Sequence, residues 1–300
     1  MTDLLSEIKE KFKVGNIAIQ FIYINTGLFI VTRLLELTLY LFGYDFSIIH
    51  ITTSLPANLT TLALRPWSML TYMFMHAGLL HLFFNMLLLY WFGQFFLSYY
   101  SAKHLRGLYF LGGIVGGAVF LLAYALFPAL KPMAQSANLV GASAAVLAIV
   151  IAIATHIPNQ SVRLFLIGSI KLKYLAIFVI LTDLLMIINN NPGGHIAHLG
   201  GALAGFCFTK SIQKGIDPTK WINILLDTPL FIRDFIRKKR KTKQKMKVAY
   251  KNTSEFNTHS SKDSNKKRTE EIDTILDKIK ESGYNNLTGE EKQKLFDAGK

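Results

Sequence analysis

The sequence predicts an all-α membrane protein with six transmembrane helices and both termini in the cytoplasm, followed by a small helical element in the C-terminal tail. Composition is the first reason. The chain of 300 residues is 51% hydrophobic yet carries a formal charge of +14, which suits a membrane domain joined to a basic region. The second reason is that apolar runs long enough to cross a bilayer recur as far as Thr209.

The six predicted spans form a membrane domain at residues 17–209, which follows a cytoplasmic N-terminal segment at residues 1–16. An apolar run from Trp67 to Leu97 would measure about 46 Å as a single helix, so we expect its first part to lie along the membrane interface. The spans are placed at Ile17–Phe42, Gly78–Leu97, Gly107–Phe127, Leu139–Ile157, Tyr174–Asn189 and Gly194–Phe208.

Orientation is predicted from the basic residues, because lysines and arginines in short connections stay on the cytoplasmic side. The connections on the other side of the membrane hold only Arg65 and Lys131. The cytoplasmic group comprises Lys9, Lys11, Lys13, Lys103, Arg106, Arg163, Lys171 and Lys173.

The tail is polar and basic, with 22 lysines and arginines against 13 acidic residues over residues 210–300. It is predicted to comprise a basic juxtamembrane segment (210–251), a flexible linker (252–268) and a small helical hairpin (269–300). The basic pattern over residues 221–247 suits contact with anionic lipids, or else a solvated flank of the last span. A capping box of Thr288 and Glu291 opens the second hairpin helix, whose partner is unknown.

Three polar clusters interrupt the apolar spans. His81 and Asn85 share one face of the second span, with His76 before them, and Ser143 follows Gly141 near the start of the fourth. Each has a structural alternative, because intramembrane His and Asn often bond a neighbouring helix and serine often bonds its own backbone.

The third cluster lies on the sixth span, where His198 is followed by Gly201 and Gly205. Glycines at this spacing allow close approach of another helix. The fourth span offers a matching surface, so we expect Ser143 to lie within hydrogen-bond reach of His198, which could then act as its base. His195 is the competing candidate. The matching small residues are Gly141, Ala144, Ala145, Ala148 and Ala152.

Depth supports the same grouping. His81, Ser143 and His198 each fall a few residues after the start of a predicted span, which corresponds to roughly 5 to 8 Å of depth. Polar groups gathered at one level favour a reaction site over a transporter or channel, in which ionisable groups would be spread through the bilayer.

Other polar residues are interpreted as structural. Asp183, the only acidic residue between Asp45 and Asp217, is expected to pair with a polar neighbour, with gating or proton handling as the alternative. Arg33 and Glu36 are expected to neutralise each other. The single cysteine, Cys207, is expected to be a buried packing residue, and four glycines of the third span to allow tight packing. These glycines are Gly112, Gly113, Gly116 and Gly117.

Together these motifs resemble the rhomboid family of intramembrane serine proteases over roughly Arg65 to Thr209. The resemblance implies that Ser143 is the nucleophile and His198 the general base, without an acidic third member. It implies an oxyanion hole made by His81, Asn85 and the Ser143 backbone N–H, with further residues close by. These are His76, Gly141, Ala142 and Gly201.

The implied activity is cleavage of transmembrane proteins near the outer membrane face through an acyl-enzyme, with substrate entering between spans two and five. Two departures stand out: Ala144 replaces the family's usual glycine, and Trp67-Ser68 replaces its common Trp-Arg pair. The alternative is a catalytically silent relative that binds transmembrane clients. No metal, cofactor or nucleic-acid partner is expected, and a multi-pass location in a bacterial plasma membrane is predicted.

Overall fold

The computed structural model describes residues 6–7, 10, 12, 14–164, 168–188, 191–228, 272–280 and 283–298. It divides into two compact units, Met1–Phe231 and Ile232–Lys300. The predicted linker at residues 252–268 lies outside the described residues, as does the predicted basic segment from residue 229 to 251.

The first unit is mainly helical, and six of its helices lie where spans are predicted. These six are α1, α5, α6, α7, α8 and α9; the others are short or follow α9. The bounds are α1 Ile17–Leu41, α2 Ser47–Thr53, α3 Leu59–Leu64, α4 Ser68–Thr71, α5 Leu79–Leu97, α6 Ala102–Leu126, α7 Ser143–His156, α8 Leu172–Met186, α9 Pro192–Gln213 and α10 220–228.

Within the described residues, α1, α5 and α6 are long and apolar enough to cross a membrane. Helix α7 is apolar but has only 14 residues, and nearly all of its side chains are buried. It lies at the centre of the unit, in contact with α5, α6, α8 and α9. A helix that is apolar all round is suited to this central position.

Two small antiparallel sheets accompany the helices, so the prediction of an all-α fold is incomplete. Strand β1 (Leu55–Pro56) pairs with β2 (Asn138–Leu139), and β3 (Ser161–Leu164) pairs with β4 (Gly168–Lys171) between α7 and α8. Segments this short carry no readable alternation of polar and apolar residues. The β1–β2 pair matters for the site because it fixes the segment that leads into α7.

The long apolar run before α5 is interrupted, as expected from its length. Helix α4 continues into a 3₁₀ turn at Tyr72–Phe74, and residues 75–78 separate this turn from α5. Arg33 of α1 reaches the separating segment and donates to the carbonyls of His76 (3.3 Å) and Ala77 (2.6 Å). Its predicted pairing with Glu36, at 2.7 Å, is confirmed.

Small residues bring α6, α7 and α9 together, as predicted. A Cβ added at Gly116 of α6 would lie 2.6 Å from the Cβ of Ala144, and one at Gly205 of α9 would overlap the carbonyl of Ala148. Further along the same stripe, buried Thr209 donates from Oγ1 to the carbonyl of Ala152 at 2.9 Å. The three helices therefore approach to backbone contact.

The prediction that Cys207 is buried is wrong, because its side chain is exposed. Helix α9 turns Gly201 and Gly205 towards α7, and Cys207 follows Gly205 by two residues, about 200° around the helix. It therefore lies on the outer face with exposed Leu203 and Phe206.

Helix α10 lies within the predicted basic juxtamembrane segment (210–251), whose first residues instead continue α9 to Gln213. Helix α10 packs on the start of α6. Asn223 donates from Nδ2 to the carbonyl of Lys103 at 3.0 Å and accepts from Arg106 Nε at 2.9 Å. Arg106 also pairs with Asp227 at 2.8 Å. Helix α10 thus contacts α6 through Asn223 and Asp227, and residues 229–247 of the predicted lipid-binding stretch lie outside the described residues.

The second unit contains the predicted helical pair, α11 (272–280) and α12 (Gly289–Ala298), with a 3₁₀ turn at Tyr284–Asn286 between them. The predicted capping box is confirmed: the Thr288 N–H donates to Glu291 Oε2 at 2.8 Å, and the Glu291 N–H donates to Thr288 Oγ1 at 3.4 Å. Lys278 of α11 donates to Glu291 Oε1 at 2.8 Å and so ties the two helices together.

Candidate active site

Ser143 is the first residue of α7, not an inner residue of a helix beginning at Leu139 as predicted. The chain before it stays extended through β2, and Gly141 has a φ of 132°, which favours glycine. The Gly141 N–H donates to the carbonyl of Tyr72 at 3.0 Å. At this position the Ser143 backbone N–H has no acceptor within the helix and faces the chain before α7.

The hydroxyl of Ser143 and the imidazole of His198 are in direct contact, with 2.7 Å between Oγ and Nε2. The two residues belong to α7 and α9, which approach closely because Gly201 lies against the carbonyl of Ala144 one turn beyond His198. The contact is the one expected from the matched small residues of the fourth and sixth spans.

Asp183 of α8 completes a chain of hydrogen bonds that the sequence did not predict. Its Oδ1 lies 2.8 Å from His198 Nδ1 and 2.8 Å from His195 Nδ1. Because an ionised carboxylate can only accept, both Nδ1 atoms carry the proton. In neutral His198 this leaves Nε2 free to accept from the Ser143 hydroxyl. The expected polar partner of Asp183 is therefore a pair of histidines.

The same three side chains are the group in the described part of the chain that could hold a metal ion, since their donor atoms lie within 4.8 Å of one another. Carboxylate and imidazole donors suit several divalent metals. The hydrogen bonds to Asp183 Oδ1 already provide a partner for the Nδ1 atom of each histidine.

His81 lies directly beside the serine. A Cβ added at Gly141 would lie 2.8 Å from His81 Cε1 and 3.4 Å from Ser143 Oγ, so both side chains converge on this glycine. Asn85, one turn further along α5, donates from Nδ2 to the carbonyl of His81 at 2.7 Å. One of its two amide hydrogens is therefore already engaged.

His76 precedes α5 and is buried beside His81, with 5.4 Å between the ring centroids. Burial, and to a smaller extent the neighbouring His81, lower the pKa of His76 to about 4. The ring is therefore neutral near pH 7 and adds no positive charge to the site.

The predicted site residues thus converge, although they lie at different distances from the first residues of their helices. Ser143 is the first residue of α7, whereas His198 is the seventh of α9. They meet because these helices begin at different heights, which residue counts from apolar runs cannot reveal. His195 shares the carboxylate with His198, and among the described contacts only His198 bonds the serine.

Comparison with known proteins finds two matching family models and a similar protein. The family model described as Rhomboid domain matches residues 63–214, and a model described as a family of unknown function (DUF6576) matches residues 261–298. A similar protein is RHOMBOID-like protein 12, mitochondrial, from Arabidopsis thaliana, which is 31% identical over 161 residues.

That alignment covers 50% of this chain and 48% of the relative, so the chain spans about half the length of the curated relative it matches. The relative is mitochondrial and therefore lends no support to the predicted bacterial plasma membrane. The apolar helices and the matched domain identify an integral membrane protein. With the family model matching half of its length, this chain belongs to the rhomboid family.

Proposed function

We propose that the protein is an intramembrane serine endopeptidase in which Ser143 is the nucleophile and His198 the general base and acid. The observation that carries this proposal is the 2.7 Å contact between Ser143 Oγ and His198 Nε2. A hydroxyl that is hydrogen-bonded to the unprotonated nitrogen of an imidazole can pass its proton to that nitrogen as it attacks a carbonyl carbon.

The reaction follows the usual course of acyl transfer. His198 takes the Ser143 proton while Oγ bonds to the scissile carbonyl carbon, and the carbonyl oxygen becomes an oxyanion. The imidazolium then protonates the leaving amine, so the peptide C–N bond breaks and an acyl-enzyme remains. Water, deprotonated by His198, hydrolyses that ester and restores the serine.

The oxyanion hole proposed for this step combines a backbone donor with two side chains. The Ser143 N–H lies at the positive end of α7, where the helix dipole favours negative charge. His81 adjoins the serine, and Asn85 retains an amide hydrogen for the oxyanion. Losing one such donor typically lowers turnover by about 10² to 10³.

We further propose that the substrates are transmembrane proteins, cut near the outer face by an enzyme with six spans and cytoplasmic termini. Helices α5 and α8 both contact α7 and carry exposed apolar side chains, which suits lateral entry of a substrate helix between them. The helix must unwind to present a peptide bond, so cleavage should occur near helix-breaking residues.

The tail is proposed to contact membrane lipids through residues 221–247, with anionic headgroups attracted by its lysines and arginines. The helical pair of the second unit is proposed to bind a partner protein. Location in a bacterial plasma membrane remains a prediction.

Labelling with a fluorophosphonate tests the proposed chemistry, because this reagent reacts much faster with an activated serine than with an ordinary hydroxyl group. We expect labelling at Ser143 that Ser143→Ala abolishes and His198→Ala reduces at least a hundredfold. The matched control is Ser136→Ala, which removes an exposed hydroxyl whose partner among the described residues is the nearby Met133 carbonyl. Labelling that survives both site variants would reject the proposal, and an unlabelled wild type would favour the silent client-binding alternative.

A further inference from the structure

Asp183 is a buried carboxylate whose hydrogen bonds both go to histidines of the candidate site. It is only 5% exposed and lies in the last turn of the apolar helix α8. An acidic group at such a position is costly and is seldom kept without a partner. Both bonds use Oδ1, and Oδ2 has no hydrogen-bond partner among the residues that the structure describes. The interactions of Asp183 are thus directed at α9 through one oxygen.

We propose that Asp183 is a positioning residue for His198, so that the site works as a Ser143–His198–Asp183 series and not as the dyad that the family resemblance implies. This inference rests on the proposed function. By accepting from Nδ1–H, the carboxylate holds the tautomer in which Nε2 faces the serine, and it fixes the rotation of the ring. Its negative charge also stabilises the imidazolium that forms when the serine proton is transferred.

His195 shares the same oxygen of Asp183 but does not bond the serine among the described contacts. One carboxylate oxygen accepting from two N–H groups divides its charge between them. Removing His195 leaves Asp183 with His198 alone, and the positioning should persist. Removing the charge of Asp183 affects both histidines, but only His198 contacts Ser143. The two substitutions should therefore differ in their effect on turnover.

The alternative is that Asp183 merely ties α8 to α9. In that case a bond to either histidine would tie the helices together, and loss of the tie would lower the stability of the protein. The tautomer of His198 alone does not separate these roles, because a tie through His198 uses the same Nδ1–H bond to Asp183. The tautomer tests whether that bond forms, and the kinetic measurements then separate the two roles.

The first measurement does not depend on proteolysis. Full-length protein with ¹⁵N-labelled histidine is placed in phospholipid bilayers, and the His198 ring signals are assigned by their loss in His198→Gln. We expect neutral His198 to carry its proton on Nδ1 in the wild type and to lose this single tautomer in Asp183→Asn. A wild-type His198 protonated on Nε2 would overturn the proposal, whether or not the protein cleaves substrates.

The second measurement is the kinetics of cleavage of a transmembrane model substrate. Asp183→Asn should lower kcat by about 10² to 10⁴ and change KM little, in line with the loss of the acid in other serine proteases. Asp183→Glu should recover at least tenfold of that loss. Asp217→Asn is the matched control, because Asp217 lies beyond the end of α9 and its carboxylate, among the described residues, contacts only Thr219 and His104.

The third measurement compares His195→Ala with Asp183→Asn. We expect the loss of kcat in His195→Ala to be no more than a tenth of that in Asp183→Asn. Equal losses with equal drops in melting temperature would identify a helix tie and overturn the proposal. A wild type that neither cleaves nor labels at Ser143 would reject the proposed function, and the tautomer of His198 would still show whether Asp183 orients its ring.

Discussion

Replacing Gly201 by alanine should separate the nucleophile from its base without touching either residue. A Cβ at this position would lie 2.8 Å from the carbonyl carbon of Ala144 and 2.9 Å from its Cα, and closer still to its carbonyl oxygen. Ordinary contact between carbon atoms requires about 3.5 to 4.0 Å. Because these neighbours are backbone atoms at the start of α7, they cannot rotate away, and the helices must part by roughly 1 Å.

The consequence for the site follows from the contact that these helices create. Ser143 Oγ and His198 Nε2 are 2.7 Å apart, and a further separation of roughly 1 Å exceeds hydrogen-bonding distance. We expect kcat to fall about 10²-fold, the usual effect of a misplacement of this size. Overpacking should also lower the free energy of unfolding by about 1 to 3 kcal/mol.

Gly27→Ala is the matched control, because a Cβ at Gly27 in α1 would meet nothing within 4 Å. Both variants are compared by cleavage of a transmembrane substrate and by thermal unfolding in the same detergent. The control should keep its activity and its melting temperature. If Gly201→Ala were as active and as stable as Gly27→Ala, the argument that missing side chains bring Ser143 and His198 together would be refuted.

Two further predictions concern regions away from the serine. Thr209→Val removes the bond from Thr209 Oγ1 to the Ala152 carbonyl, so it should lower the free energy of unfolding by about 0.5 to 1.5 kcal/mol. It should leave kcat unchanged, because Ala152 lies about 13 Å along α7 from Ser143. The control Thr38→Val removes the bond from exposed Thr38 to the Leu34 carbonyl in α1. A tenfold loss of kcat in Thr209→Val that is absent in this control would contradict the prediction. In the second unit, the hydrogen bonds from Lys278 and the Thr288 N–H lower the pKa of Glu291 to about 2. The stabilisation of the helical pair should therefore be complete above about pH 4.5 and be lost as the pH falls towards 2. A ¹³C carboxylate titration of the full chain would measure this, and the midpoint of Glu291 should rise in Lys278→Met; an unchanged midpoint would contradict the pairing.

The positions of the helices were predictable, because apolar runs that are buried in the protein or cross a membrane are visible in the sequence. Local motifs were predictable for the same reason: Arg33–Glu36 and the Thr288–Glu291 capping box depend only on residues three apart. The outward orientation of Cys207 could also have been derived. The spacing of Gly201 and Gly205 defines the inner stripe, and two further residues lead to the opposite face.

The partner of Asp183 could not be predicted from the sequence. The presence of an acid in an apolar helix requires some partner, but the choice depends on how α8 is rotated against α9. Helix α8 does not encode that rotation in its own pattern, since it is apolar on most of its surface. The β1–β2 pair escaped prediction for a similar reason: it joins residues 55–56 to residues 138–139, and only tertiary packing brings those segments together.

The two departures from the family pattern are each accommodated by a residue on another helix. The methyl group of Ala144 does not lie between α7 and α9, where it would separate Ser143 from His198. It points instead towards Gly116 of α6, which has no side chain there. Glycine on the facing helix thus makes room for alanine at the position after the serine.

The missing arginine of the Trp-Arg pair is a separate case. Arg33 of α1 donates to the carbonyls of His76 and Ala77, and so holds the segment that leads into α5. Trp67 still anchors the preceding turn, with its indole N–H donating to the Thr52 carbonyl at 3.0 Å. Because α1 lies outside the matched domain at residues 63–214, the support for this segment comes from a part of the chain that the family motif does not include.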